Sequence, residues 1–247
     1  MRLKCIACDV FARGIYTCAA KSGHVVDVTL EDFGQHIDPH KLRKKIQEHV
    51  DSNDQADPYD AIVLAYGLCG KATEGILARH IPVVIPRAHD CITLFLGSRE
   101  RYQQAFAACP GTYWYTRDYL ERQNSNDVPL AIGAFTAGDE AVVYAEFVQK
   151  FGVDNADYLM EIMWGWQDHY QRAVYIDLKM GDGTSAKLKA QAEAQKHGWR
   201  FEQLAGDIGL LERLLNGDWD TDDFLMLQPG QRVEMAGDEG IIHAVDS

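Results

Sequence analysis

Basic runs are absent from this chain, and so is any apolar segment approaching the ~20 residues that a membrane span requires. Lysine and arginine number 24 against 37 aspartates and glutamates, a formal net charge of −13, with the acidic residues scattered along the sequence. Such a surface is a poor partner for phosphate backbones and anionic membranes, so neither nucleic acid nor membrane is expected. The amino terminus, MRLKCIACDV, lacks the apolar core of a secretion signal, which predicts a cytoplasmic protein. Fixed-period repeats and low-complexity tracts are also missing.

Cysteine is not scarce. Six occur in 247 residues. Without a secretion signal they point to reduced thiols serving packing, catalysis or metal binding, and away from a disulfide framework. A chain of this length that is 47% hydrophobic can bury a sizeable core, as one α/β unit or as two lobes.

Short β-rich apolar runs alternate with helical patterns through the first half. LKCIAC, VVDVTL, AIVLAY, PVVIP and TYWYT read as strands. Helices are expected over residues 13–21 and 39–50, and in one stretch from after Cys91 to about Ala108 that includes Gly97, Ser98, Arg99 and Arg101. Beyond a polar linker, RQNSNDVP, two long helical patterns cover 139–151 and 155–171, the second carrying Trp164, Trp166 and His169. A shorter series follows, with strands AVYIDLK, WRFEQL and DDFLML and helices over 186–197 and 210–215. The tail reads as a hairpin with Gly-Asp-Glu-Gly as its turn. The expected fold is therefore α/β: two Rossmann-like lobes with mainly parallel sheets and a site in the cleft at the strand carboxyl ends. Residues 1–120 form the amino-terminal lobe carrying the cysteines, and residues 121–247 a helical linker region with a second, smaller α/β lobe.

Three cysteines fall at carboxyl ends on this map. Cys8 closes the first strand, Cys69 follows the third in AYGLCG, and Cys91 follows PVVIP. In an open parallel sheet those ends line one edge, where ligands bind, and neighbouring strands are ~4.8 Å apart. Two bare thiolates ~4 Å apart repel by roughly 4 kcal/mol at an effective dielectric near 20, a conflict that a bound cation resolves. A start-of-helix position also predicts a lowered pKa for Cys91. Unrelated structural roles and metal-free nucleophilic or redox use remain open for the same three. Cys5, Cys18 and Cys109 read as packing residues, and Cys5 and Cys8 point to opposite faces of an extended strand.

The turn PRAHDC adds His89 as a fourth ligand or general acid/base, Asp90 as a helix cap and Arg87 as an anion clamp. GLCGKATEG loosely resembles a phosphate loop, with Gly67 and Gly70 offering main-chain amides and Lys71 in reach of an anion, but it lacks the phosphate-loop spacing. YIDLKMGDGTS places a glycine turn at the end of a later strand.

The order CIAC, AYGLCG, PRAHDCITLFLGS, GTYWYT and DFLMLQPG resembles an uncharacterised domain family, often encoded beside corrinoid-dependent methyltransferases in anaerobes. The resemblance implies metabolism of methylated compounds and carries the family's characteristic positions onto Cys8, Cys69, His89 and Cys91. The additional Cys5 departs from the pattern and could exchange with Cys8. The resulting expectation is a cysteine-ligated metalloenzyme, a lyase or methyltransferase acting on a small methylated or thiol compound in one-carbon metabolism. An iron–sulfur cluster is the first candidate cofactor and zinc the second. The alternative is an accessory protein that handles a corrinoid, another tetrapyrrole or a metal for a methyltransferase or corrinoid protein.

Overall fold

A computed structural model describes residues 1–52, 58–122, 170–237 and 240–247, with a few positions between 144 and 153. The elements run β1 (Arg2–Cys8), α1 (Ala12–Lys21), β2 (Val25–Glu31), α2 (Pro39–Asp51), β3 (Ala61–Ala65), β4 (Val83–Pro86), α3 (Cys91–Leu96) and α4 (Arg99–Ala108). There follow β5 (Thr112–Thr116), α5 (Arg117–Arg122), β6 (Arg172–Asp177), α6 (Thr184–Lys196), β7 (Arg200–Ala205), α7 (Gly209–Asn216), β8 (Phe224–Leu227), β9 (Gln231–Met235) and β10 (Ile242–Asp246). Strands and helices interleave in a Rossmann-like α/β architecture whose two larger sheets are mainly parallel. The chain divides into two compact units, residues 1–102 with 206–247, and residues 103–205.

In the first unit a five-stranded sheet has the order β2-β1-β3-β4-β8. β1 lies parallel between β2 and β3, and β3 is parallel to β4. All five residues of β3, AIVLA, are buried, as a parallel strand covered on both faces requires. On one face α2 lays down Leu42, Ile46 and Val50, spaced one helical turn apart, against Ile6, Ile62 and Leu64. α1, α3 and α7 supply the other buried surfaces, with Phe11 and Phe95 in ring contact at 4.6 Å. α7 is amphipathic and buries Leu210, Leu211, Leu214 and Leu215, each contributing about 1.5–3 kcal/mol of transfer free energy. β9 and β10 form the expected carboxyl-terminal hairpin.

The second unit holds the parallel sheet β5-β6-β7. Arg172, 5% exposed, is satisfied there by Thr112 Oγ1 at 2.9 Å, Glu202 Oε2 at 3.1 Å and the Ala105 carbonyl at 2.7 Å. The glycine turn after β6 is present, with Gly181 at φ +78°. The helical patterns over 139–151 and 155–171, with Trp164, Trp166 and His169, lie outside the described residues, scattered positions aside.

Two strands lie in sheets other than those expected. TYWYT is β5 and pairs with β6, whereas FLML of DDFLML is β8 and runs antiparallel to β4 from Val83↔Leu227 to Pro86↔Phe224. The division between units consequently does not fall at residue 120. Both strands are short, apolar and mostly buried, so neither carries a pattern that names its neighbour. The stretch from Cys91 to Ala108 is also not one helix. Gly97, at φ +76°, ends α3, and its amide returns to the Thr93 carbonyl.

A Cβ added at Gly97 would stand 2.6 Å from the Asp207 Cβ, in a left-handed conformation that only glycine adopts readily. Gly97→Ala is expected to destabilise the protein by about 1–3 kcal/mol, read as a lower urea midpoint at unchanged slope. An unchanged midpoint contradicts this cap.

Candidate functional site

Cys8, Cys69 and Cys91 extend from the carboxyl ends of β1, β3 and β4, three adjacent parallel strands. Beyond the sheet the last two loops remain joined. The Leu68 amide donates to the Ala88 carbonyl at 2.7 Å, and the Cys69 amide to the His89 carbonyl at 2.9 Å. Gly67 makes this approach possible, since a Cβ there would lie 2.8 Å from both the Cα and the amide nitrogen of Asp90. The three residues after Leu68, namely Cys69, Gly70 and Lys71, all have positive φ, at 46°, 62° and 74°. Left-handed backbone costs each of the two non-glycine residues about 1–2 kcal/mol, so the surrounding bonds must hold the turn in place.

The thiols sense one another. Burial pushes Cys8 well above the ordinary thiol range, the Val10 amide opposes it, and Cys69, Asp9 and Asp32 add to the rise. Cys69 is pushed up to about 12 by burial and Asp90. Cys91 is raised well above its usual range by burial, then Asp90, Cys69 and Cys8. The lowered pKa expected of Cys91 from its helix-start position is thus overturned. α3 has only six residues, and the thiol's bond to its own main-chain amide is outweighed by burial and by Asp90, Cys69 and Cys8.

Asp90 is more than the expected cap. Its Oδ1 accepts the Ile92 amide at 3.0 Å, and its Oδ2 accepts the Tyr102 hydroxyl at 3.2 Å. Burial raises its pKa against these bonds, which makes it a buried carboxyl beside Cys69 and Cys91. His89 presents an exposed side chain, and its contribution inward is its carbonyl. Arg87 serves as a tether where an anion clamp is expected. Its guanidinium donates to the Thr221 and Gly240 carbonyls at 3.0 Å each, and also to the Ile242 carbonyl, fastening the β9–β10 hairpin.

Around the expected phosphate loop of Gly67, Gly70 and Lys71 most main-chain amides are engaged within the fold. The amides of residues 68, 69, 72, 73, 74 and 75 all donate to main-chain carbonyls, and Lys71 pairs at 3.9 Å with Glu74 on the surface. Gly67 and Gly70 shape the loop. Cys5 is fully buried, the thiol acting on it is Cys18, and on the extended strand β1 it points to the face opposite Cys8.

None of the six cysteines forms a disulfide. Among the described residues no group of three or more His, Cys, Asp or Glu side chains is assembled to hold a metal ion. Neutral thiols have no charge to draw them together, and the donor chemistry, three soft sulfurs on one sheet edge, suits iron or zinc. Two residues beyond the sequence-based set belong to this edge, Asp90 as a buried acid and Tyr66. The signal for Tyr66 is a hydroxyl-bearing side chain at the end of an otherwise apolar buried run.

The chain belongs to a protein family of unknown function, DUF1638, whose family model matches residues 30–215. Cys69, His89 and Cys91 fall inside the matched span and Cys8 precedes it. No curated protein and no solved structure matches the chain. Among the described residues no helix is long and apolar enough to cross a membrane.

Cys5, Cys18 and Cys69 share a thiol pKa of about 12. A thiol with a raised folded pKa ionises first in the unfolded chain, so its contribution to stability is full below about pH 8.5 and is lost as pH climbs toward 12. The urea midpoint of metal-free protein is therefore expected to fall over that window. Iodoacetamide should label Cys69 and Cys91 at neutral pH more slowly than an unstructured cysteine, and rapid labelling of either contradicts these assignments.

Proposed function

We propose that this protein is a metal-dependent enzyme, a lyase or methyltransferase, in which Cys8, Cys69 and Cys91 hold an iron–sulfur cluster, with zinc as the second candidate. Its substrate is a small methylated or thiol compound of anaerobic one-carbon metabolism, a setting that rests on the family resemblance of the sequence motifs. The observation that carries the metal reading is positional: Cys8, Cys69 and Cys91 stand at the carboxyl ends of adjacent parallel strands, Cys8 and Cys69 pack against one buried cluster, and burial drives all three toward the neutral form. Metal-free thiol catalysis needs the opposite, a pKa lowered toward neutrality. A cation reverses the balance, because a coordinating thiol is deprotonated outright.

Bound there, the metal group would supply Lewis-acid activation of a substrate at a coordination position left open by three protein ligands. The chain's own residues do the rest. Asp90 places a buried carboxyl beside Cys69 and Cys91, its Oδ2 accepting from the Tyr102 hydroxyl. Arg87 and the hairpin it fastens keep the two cysteine loops in place, and His89 stands on the solvent side of the same turn. Because ligand formation displaces thiol protons, metal affinity falls as pH is lowered.

Elemental analysis of anaerobically purified protein tests this reading. Wild type and Cys5→Ala are expected to carry iron with acid-labile sulfide, or one zinc per chain, and the double variant Cys69→Ala/Cys91→Ala to carry neither. Metal retained by the double variant, or absent from wild type, refutes the ligand assignment.

A further inference from the structure

Tyr66 follows β3 and opens the loop that leads to Cys69. Its side chain is 2% exposed, and its hydroxyl oxygen is sealed from solvent without a hydrogen-bond partner among the described residues. Removing a hydroxyl from water with nothing to replace the lost hydrogen bonds is unfavourable, and phenylalanine would fill the same space without that penalty. A buried polar group left unsatisfied in a folded protein calls for an explanation, and a catalytic role or a bound water or ion is among those that apply.

The surroundings say where that partner belongs. Tyr66 belongs to the buried cluster against which Cys8 and Cys69 pack, and the ionisable groups acting on its phenol are Cys8, Cys69, Glu31 and Asp9, so the side chain lies at the thiol edge. Glu31 is already engaged, accepting from His49 at 2.6 Å, Gln35 at 3.1 Å and Lys45 at 3.4 Å. Asp9 Oδ1 accepts the Phe33 amide at 3.0 Å. The phenol is protonated at neutral pH and has a proton to donate.

We propose that Tyr66 is a ligand-binding residue of the thiol site, its hydroxyl donating a hydrogen bond to a small anion, an oxyanion or a thiolate, bound beside Cys8 and Cys69. The inference rests on the reading of the three thiols as a binding site. It adds a fixed donor, carried on the end of a central strand, that selects for an acceptor atom with negative charge.

Tyr66→Phe tests it. Wild-type and variant protein are compared metal-free by thermal unfolding, and after Co²⁺ loading by titration with azide and with 2-mercaptoethanol. The metal-free variant is expected to unfold at the same temperature as wild type or higher, because an orphan is removed. Both proteins should show the same thiolate-to-cobalt absorption, while affinity for at least one of the two anions falls by about tenfold or more in the variant. A metal-free variant that unfolds several degrees earlier shows a structural partner for the hydroxyl and overturns the proposal, as do anion affinities that match wild type. Should wild type show no thiolate-to-cobalt absorption, the zinc form of the metal reading fails separately. Azide added to metal-free protein then decides the case for Tyr66, by whether it raises the unfolding temperature of wild type more than that of the variant.

Discussion

Two main-chain hydrogen bonds beyond the end of the sheet, from the Leu68 amide to the Ala88 carbonyl and from the Cys69 amide to the His89 carbonyl, set everything that follows at the thiol edge. They extend the pairing of β3 with β4 into the loops and bring the backbone of Asp90 against Gly67. With any larger residue at Gly67 the loops would part, and Cys69 and Cys91 with them. The left-handed turn through Cys69, Gly70 and Lys71 depends on the same closure. Its cost is offset by bonds at both ends: Cys69 to His89 on one side, and on the other the Gly75 amide to the Val233 carbonyl of the hairpin at 2.7 Å.

That brace explains the use made of the carboxyl-terminal segment. β8 adds antiparallel to β4, the β9–β10 hairpin bonds to residues 75–78, and Arg87 clasps the carbonyls of Gly240 and Ile242. A chain segment remote in sequence thus supports the two loops that carry Cys69 and Cys91. The electrostatic consequence is a set of buried neutral thiols, stable while protonated and mutually repulsive once ionised. Such a set is quiet without a cation and strongly donating with one.

Much of this was legible in the sequence. The alternation of apolar runs with helical patterns fixes parallel strands, and parallel strands fix which residues share an edge, so Cys8, Cys69 and Cys91 could be placed from spacing alone. Partners of short buried strands could not, because β5 and β8 look alike from the inside and their neighbours are decided by long-range pairing. Arg87 also misled, since a guanidinium serves backbone carbonyls as readily as anions, and only the fold brings the hairpin to it. Tyr66 was hidden for a different reason. Its significance is an unmade bond, and a sequence shows residues without showing which of their bonds are satisfied.

The central claim is that sulfur atoms from three separate strand ends bind one metal centre. Iron and zinc K-edge X-ray absorption on protein isolated without oxygen addresses it directly. The account predicts a first shell dominated by sulfur that loses scatterers when Cys8→Ala, Cys69→Ala or Cys91→Ala is introduced singly. A shell of nitrogen and oxygen only, or one indifferent to all three substitutions, contradicts it.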